Sequence, residues 1–308
     1  MKYNNRISDV RPESGDAPVT LKICGNVLEI CHALSTAGSP VRKIDAEHGV
    51  DVRTGEVIDY KHKETRAENI RAVSQSMKRL RDIINTNLTR PSHALWVTLT
   101  YKENMTDTKR LYEEYRRFWC RFGYYLKKHS YPHAEYITAV EPQARGAWHL
   151  HCLFLFPKKA PFIPNDDIAK IWGHGFCKTK SLKGIANPGL YLTAYLTDME
   201  FTEALSEHIT KGRLAEAEVT DENGVKQKKA IIKGARLKLY PTGFKLYRCS
   251  RGVKRPETYK TTEAEAQKIV GTAPLTFEKT VSITDSNGKV VNVVNYRTYT
   301  RQTKKRGR

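Results

Sequence analysis

The chain has 308 residues, with 53 Lys plus Arg against 33 Asp plus Glu and a net charge of +20. Its mean hydropathy is −0.59, no run approaches the ~18 apolar residues of a transmembrane helix, and the polar start lacks a signal-peptide pattern; a cytoplasmic protein is expected. The charge excess points to a polyanionic partner, nucleic acid before acidic membrane, and six scattered cysteines without a CxxC pair argue against a disulfide framework or zinc knuckle.

Residues 1–18 read as a lead-in. Residues 19–23 and 27–31 flank Gly25-Asn26, a hairpin signal, and Cys24 and Cys31-His32 fit that strand pattern better than a metal site. Residues 50–53 and 56–60 around Thr54-Gly55 read as a second hairpin. From 65 to about 87, Ile70, Val73, Met77, Leu80, Ile83 and Ile84 recur at helical spacing on a basic segment. Residues 94–101, β-branched and aromatic, predict a strand. Thr106 or Asp107 can cap a long helix running to about 128.

Residues 135–141 alternate as a strand, 142–147 form a polar turn, and 148–156 return as the antiparallel partner. Asn165 is placed as the cap of a short helix over 166–172. Gly173-His174-Gly175 ends it, and a strand is expected at 176–179. Asn187-Pro188 opens a helix through 198, with proline suited to its first position. Residues 199–235 read as helical and then loop-like. Residues 236–260 are basic and aromatic, which suits single-stranded DNA as well as an ordinary basic strand pair; Lys245, Arg248 and Arg251 are its candidate contacts. A helix at 262–270 and a hairpin of 275–283 with 290–299 follow, then a basic tail.

The chemistry-bearing residues cluster in the middle. In Trp148-His149-Leu150-His151, strand alternation puts both histidines on one face, roughly 6–7 Å apart. If the preceding strand pairs across the turn, Glu141 lies opposite His149. One carboxylate and two imidazoles make an open site suited to Mn²⁺ or Mg²⁺; the plainer reading of Glu141 is a surface carboxylate at a hairpin end. Tyr191 and Tyr195, four apart on a helix, share a face. A tyrosine hydroxyl can attack a phosphodiester, and two would allow two successive transesterifications; packing tyrosines are the alternative. His174 is either a further ligand or a loop residue.

In this order, the Thr98/Thr100 strand, the Glu141–His149–His151 set and the Tyr191/Tyr195 helix resemble the HUH endonuclease superfamily, in particular rolling-circle replication initiators of plasmids and small single-stranded DNA phages. The Tyr-x-x-x-Tyr spacing resembles the microvirus type, and residues 243–252 look like the end of such domains. The resemblance covers about 90–255. It implies an α+β fold with a central antiparallel sheet of about five strands flanked by helices. It also implies metal ligation by Glu141, His149 and His151, and nucleophilic Tyr191 and Tyr195.

The implied reaction nicks and rejoins single-stranded origin DNA through a 5′-phosphotyrosine, leaving a 3′-OH primer. No ATP is needed, and no GxxxxGK[ST] loop is present, so a host helicase and a host DNA polymerase are the expected partners. One departure stands out. Relatives carry lysines where this chain has Ala194 and Asp198, leaving Arg145, Lys178, Lys180 and Lys183 as candidates for the phosphate-facing charge. The expected organisation is 1–64 as an extension with hairpins, 65–255 as the nickase domain, and 256–308 as a helix, hairpin and basic tail. The competing readings are a non-catalytic basic nucleic-acid-binding module, or another HUH enzyme such as a relaxase or single-stranded transposase.

Overall fold

Turn glycines and capping side chains set most element boundaries. Gly25 and Gly55 take φ of +60° and +76°, the left-handed region that tight hairpins need. Asp107 accepts hydrogen bonds from the Lys109 and Arg110 amides at 2.7 and 3.1 Å, fixing where the 108–128 helix starts. The computed structural model describes residues 3–4, 14–35, 41–52, 54–60, 69–143, 146–183, 185, 187–193, 196, 199–200, 213–220, 226–233, 235–241, 243–284 and 288–301.

The chain divides into two units, Met1–Lys63 with Pro256–Arg308, and Glu64–Arg255. In chain order the first unit begins with β1 (Tyr3–Asn4), β2 (Pro18–Cys24), β3 (Val27–Ala33), β4 (Val41–Lys43), β5 (His48–Asp51) and β6 (Val57–Asp59). The second unit holds α1 (Ile70–Asn87), β7 (Ala94–Thr100), α2 (Thr108–Lys128), β8 (Glu135–Pro142), β9 (Trp148–Leu155), α3 (Asn165–Trp172), β10 (Cys177–Lys180) and α4 (Pro188–Thr193). It continues with β11 (Met199–Glu200), β12 (Arg213–Thr220), β13 (Lys226–Lys233) and β14 (Tyr247–Cys249). The chain then returns to the first unit with β15 (Glu257–Thr262), α5 (Glu263–Val270), β16 (Leu275–Thr284) and β17 (Val290–Thr300).

The second unit is built on an antiparallel sheet ordered β10-β7-β9-β8-β14, so the fold is α+β with a five-stranded central sheet and flanking helices. Strand alternation gives this sheet two distinct faces. On one, Phe118 and Phe122 of α2 pack against Phe154, and Tyr115 bonds to Thr138 at 2.5 Å. Full burial of each such ring contributes about 1.5–3 kcal/mol. The residues that alternate with these carry the candidate site. α4 is joined to α1 by polar contacts: Asn187 Oδ1 accepts from Asn85 at 3.0 Å, and Asn85 Oδ1 accepts from the Gly189 amide at 2.8 Å.

The first unit builds a six-stranded sheet ordered β1-β16-β17-β3-β2-β15. Strands from both ends of the chain share it, because β17 pairs with β3 and β15 with β2. Its core is Val19, Leu21, Leu28, Ile30 and Tyr299 with Ala266 and Val270 of α5. β4, β5 and β6 form a separate small sheet. No helix among the described residues is long and apolar enough to cross a membrane.

Four expectations need correction. The helix expected through 198 spans Pro188–Thr193 among the described residues, with Leu196 in a turn. Where 199–235 was expected to be helical and then loop-like, the described residues form β11, β12 and β13, a three-stranded sheet. Asn165 does not cap α3: it is the first residue of the helix, Pro164 is the cap, and the Asn165 side chain instead accepts from the Thr179 amide at 3.1 Å. The strand expected at 176–179 starts one residue later, at Cys177; the Phe176 carbonyl just before it accepts from the Thr100 amide at 3.0 Å.

Candidate active site

β8 and β9 pair in a register that places Glu141 directly opposite His149 and Ala139 opposite His151. On the other side, β9 sets Thr100 opposite His149 and Thr98 opposite His151. Residues opposite one another in an antiparallel pair share a face. Thr98, Thr100, Glu141, His149 and His151 therefore stand together, on the face away from α2. The two imidazoles have ring centroids 6.4 Å apart at an interplanar angle of 76°.

Glu141 reaches diagonally rather than straight across. Its Oε2 is 2.5 Å from His151 Nε2, while His151 Nδ1 lies 3.3 Å from Thr98 Oγ1. Trp96 packs on the His151 ring at 5.8 Å. The other Glu141 oxygen, Oε1, pairs with Arg236 Nε at 2.9 Å, and Arg236 Nη1 also donates to the Pro142 carbonyl at 2.8 Å. Glu141 and Arg236 are only 14% and 11% exposed. Burial pushes the Glu141 carboxyl up. The His151 hydrogen bond and the charges of His151, Arg236 and His149 outweigh it and hold the group below the usual carboxylate range.

Arg236 was not foreseen as part of this cluster. It arrives from the short 3-10 helix Ala235–Leu239, far downstream, and nothing local in the sequence separates it from neighbouring basic residues. Tyr240, just after that helix, is also new. It is fully buried, and its hydroxyl donates to the Val140 carbonyl at 2.7 Å and to the Leu196 carbonyl at 3.3 Å. Burial holds this phenol well above its ordinary pKa, so it remains a donor. It fastens the residue before Glu141 to the residue after Tyr195.

Tyr191 sits on α4 and is 40% exposed. The helix is set by Asn187, whose side chain accepts from the Leu190 amide at 3.0 Å and whose carbonyl accepts from the Tyr191 amide at 3.1 Å. Leu192 and Leu196 are buried. Tyr195, Ala194, Asp198 and Arg145 lie outside the described residues.

The basic candidates separate. Lys178 is opposite Thr98 on β10, in the row that continues to His151; Lys180 is opposite Trp96. Lys183, Lys245 and Arg251 are exposed. Arg248 is opposite Thr138, on the α2 face and so across the sheet from the histidines. His174 does not join the set: its Nδ1 lies 3.8 Å from Glu114, and its ring packs on Trp172 and Tyr101. Gly175 must be glycine, since a Cβ there would collide with the Thr100 carbonyl.

The donor types, one carboxylate and two imidazoles, are those that Mn²⁺ or Mg²⁺ accepts in mixed sites. As placed, Glu141 and His151 bond to each other, and among the described residues no three His, Cys, Asp or Glu groups are arranged around a metal position.

Residues 94–200 match the model of a replication-associated protein family, that of the ORF2 type. The matched stretch begins at β7, ends at β11 and contains Glu141, His149, His151 and Tyr191. This similarity supports a replication initiator. No curated protein and no solved structure matches the chain.

Proposed function

We propose that the protein is a rolling-circle replication initiator of the HUH, two-tyrosine type that nicks and rejoins single-stranded origin DNA. The observation that carries the reading is the register of β8, β9 and β7. It gathers Glu141, His149 and His151 on one sheet face, inside the stretch similar to replication-associated proteins.

In the proposed reaction, the oxygen of Tyr191 or Tyr195 bonds to phosphorus and the P–O3′ bond breaks. The phenol loses its proton and the departing 3′ oxygen gains one. The 5′ phosphate stays on the tyrosine, and the 3′-OH primes synthesis by a host polymerase after a host helicase opens the duplex. The second tyrosine, or the 3′-OH in reverse, rejoins the strand with no ATP.

Glu141, His149 and His151 would hold a divalent cation, Mn²⁺ or Mg²⁺, which when bound supplies the Lewis acid that polarises the scissile phosphate. The fit rests on donor chemistry: a bound cation would replace the hydrogen bond between His151 Nε2 and Glu141 Oε2. Thr98 orients His151 through the second ring nitrogen. Arg236 keeps Glu141 ionised and aimed at the histidines. Lys178, in the His151 row, and Arg145 are the proposed holders of DNA phosphates, with Lys180 and Lys183.

Incubation with Mn²⁺ and labelled single-stranded origin DNA is expected to give a covalent adduct on a denaturing gel. Tyr191→Phe with Tyr195→Phe is expected to abolish it, and His149→Ala or His151→Ala to reduce it by at least ~100-fold. An adduct surviving the double tyrosine substitution overturns the nucleophile assignment. No adduct across metals and candidate origins favours a non-catalytic DNA-binding module.

A further inference from the structure

We propose a second nucleic-acid site in the Glu64–Arg255 unit: a cleft on the α2 face of the sheet that takes one unpaired base of single-stranded DNA. It rests on the function proposed above only in taking single-stranded DNA as the ligand.

The cleft lies where α2 crosses β8 and β14. It has a volume of about 440 Å³ and is lined by Tyr112, Glu113, Arg116, Trp119, Tyr136 and Arg248, a size that suits a nucleotide. It is separate from the histidine site. Arg248 pairs in register with Thr138 and Thr138 with Cys152, residues that alternate with Ala139 and His151 and so face the other way.

The walls have the chemistry of base stacking. The Arg248 guanidinium carbon is 3.5 Å from the centre of the Tyr112 ring. Tyr112 is backed by Phe244, stacked at 5.7 Å, and Phe244 by Trp148, stacked at 4.9 Å. This row of planar groups fixes one wall. Trp119 and Tyr136, edge to face at 4.7 Å, make the other, with Trp119 itself supported by Phe154 at 5.9 Å. Both Trp119 and Tyr136 are partly open to solvent. Flat cations and aromatic rings stack on any base, but only when the base is unpaired.

The charges select the same ligand. Arg116 and Arg248 are exposed, on a chain of net charge +20, and provide the cations that a flanking phosphate needs. Glu113, also on the lining, accepts N–H groups from a base edge. A duplex keeps its bases stacked inside and presents no ring to this cleft.

The test uses the full chain with chelator present, so that nicking is silent and only binding is read. Anisotropy of a labelled single-stranded oligonucleotide is followed together with tryptophan emission. Binding is expected to quench Trp119, whereas a duplex of equal length does not. Arg248→Ala is expected to weaken single-strand affinity about tenfold, the scale of losing one stacked base. Because Trp119 is also packed against Phe122, its truncation risks the fold. Trp119→Phe is the safer variant, expected to lose the quench and keep affinity within about twofold.

Unchanged emission at saturating oligonucleotide, equal quenching by duplex, tighter binding of RNA of the same sequence, or wild-type affinity in Arg248→Ala would each overturn the proposal. Quenching without a Mn²⁺-dependent adduct keeps the cleft and removes the nicking. An adduct without quenching does the reverse.

Discussion

Arg236 carries the sharpest residue-scale prediction. It and His151 occupy the two oxygens of one buried carboxylate. Removing one partner of a buried pair leaves the other charge under-compensated. Arg236→Ala is therefore expected to destabilise the Glu64–Arg255 unit by about 3 kcal/mol, read as a lower urea midpoint with unchanged slope. If the proposed cation site is right, Mn²⁺ binding by the same variant should weaken about tenfold, since Glu141 loses the guanidinium that keeps it ionised and aimed at the histidines. Unchanged stability would mean that water already screens the pair. The histidines and Glu141 were legible because strand alternation and hairpin register are local rules. The diagonal reach of Glu141 to His151 was not, because it depends on side-chain rotamers. Arg236 and Tyr240 were not legible because the fold, rather than sequence spacing, brings them to β8.

At the scale of elements, α4 shows how a helix can be placed by a single missing side chain. A Cβ at Gly189 would collide with the Arg81 carbonyl and lie 2.8 Å from Asn85 Oδ1. Gly189→Ala is expected to push α4 away from α1 at a cost of about 1–3 kcal/mol and to break the Asn85 hydrogen bond to the Gly189 amide. Adduct formation should then fall even at temperatures where the variant is fully folded, since Tyr191 moves with the helix; wild-type adduct yield from the folded variant would show that α4 only stabilises. The start of this helix was readable from Asn187-Pro188, as were the hairpins from their turn residues. The 199–235 segment was not. Arg213–Thr220 is rich in Ala and Glu, whose helix propensity favours the wrong element, and its state is decided by the partner strand Lys226–Lys233.

For the whole molecule, each end of the chain shows a hairpin in its own sequence, but the pairing of β17 with β3 and of β15 with β2 joins residues nearly a chain length apart. No periodicity encodes that. What ties α5 to this sheet is Glu263, which Arg297 of β17 grips through both nitrogens at 2.6 and 2.7 Å. Burial raises the Glu263 carboxyl, and the hydrogen bonds from Arg297 and Gln267 outweigh it, so its folded-state pKa lies below the ordinary glutamate value. A carboxylate with a depressed folded pKa stabilises above its unfolded pKa, and that contribution fades as pH falls through the folded value. Wild type should therefore lose stability in this sheet as pH falls below the ordinary glutamate range and through the depressed folded value. Glu263→Gln should melt lower than wild type at pH 7, with the gap narrowing as pH falls through the folded value and the carboxyl is neutralised. Amide exchange of β3 and β17 reports this unit separately from the other. A gap that persists at the acid end would show that Glu263 acts there through packing, not through its charge.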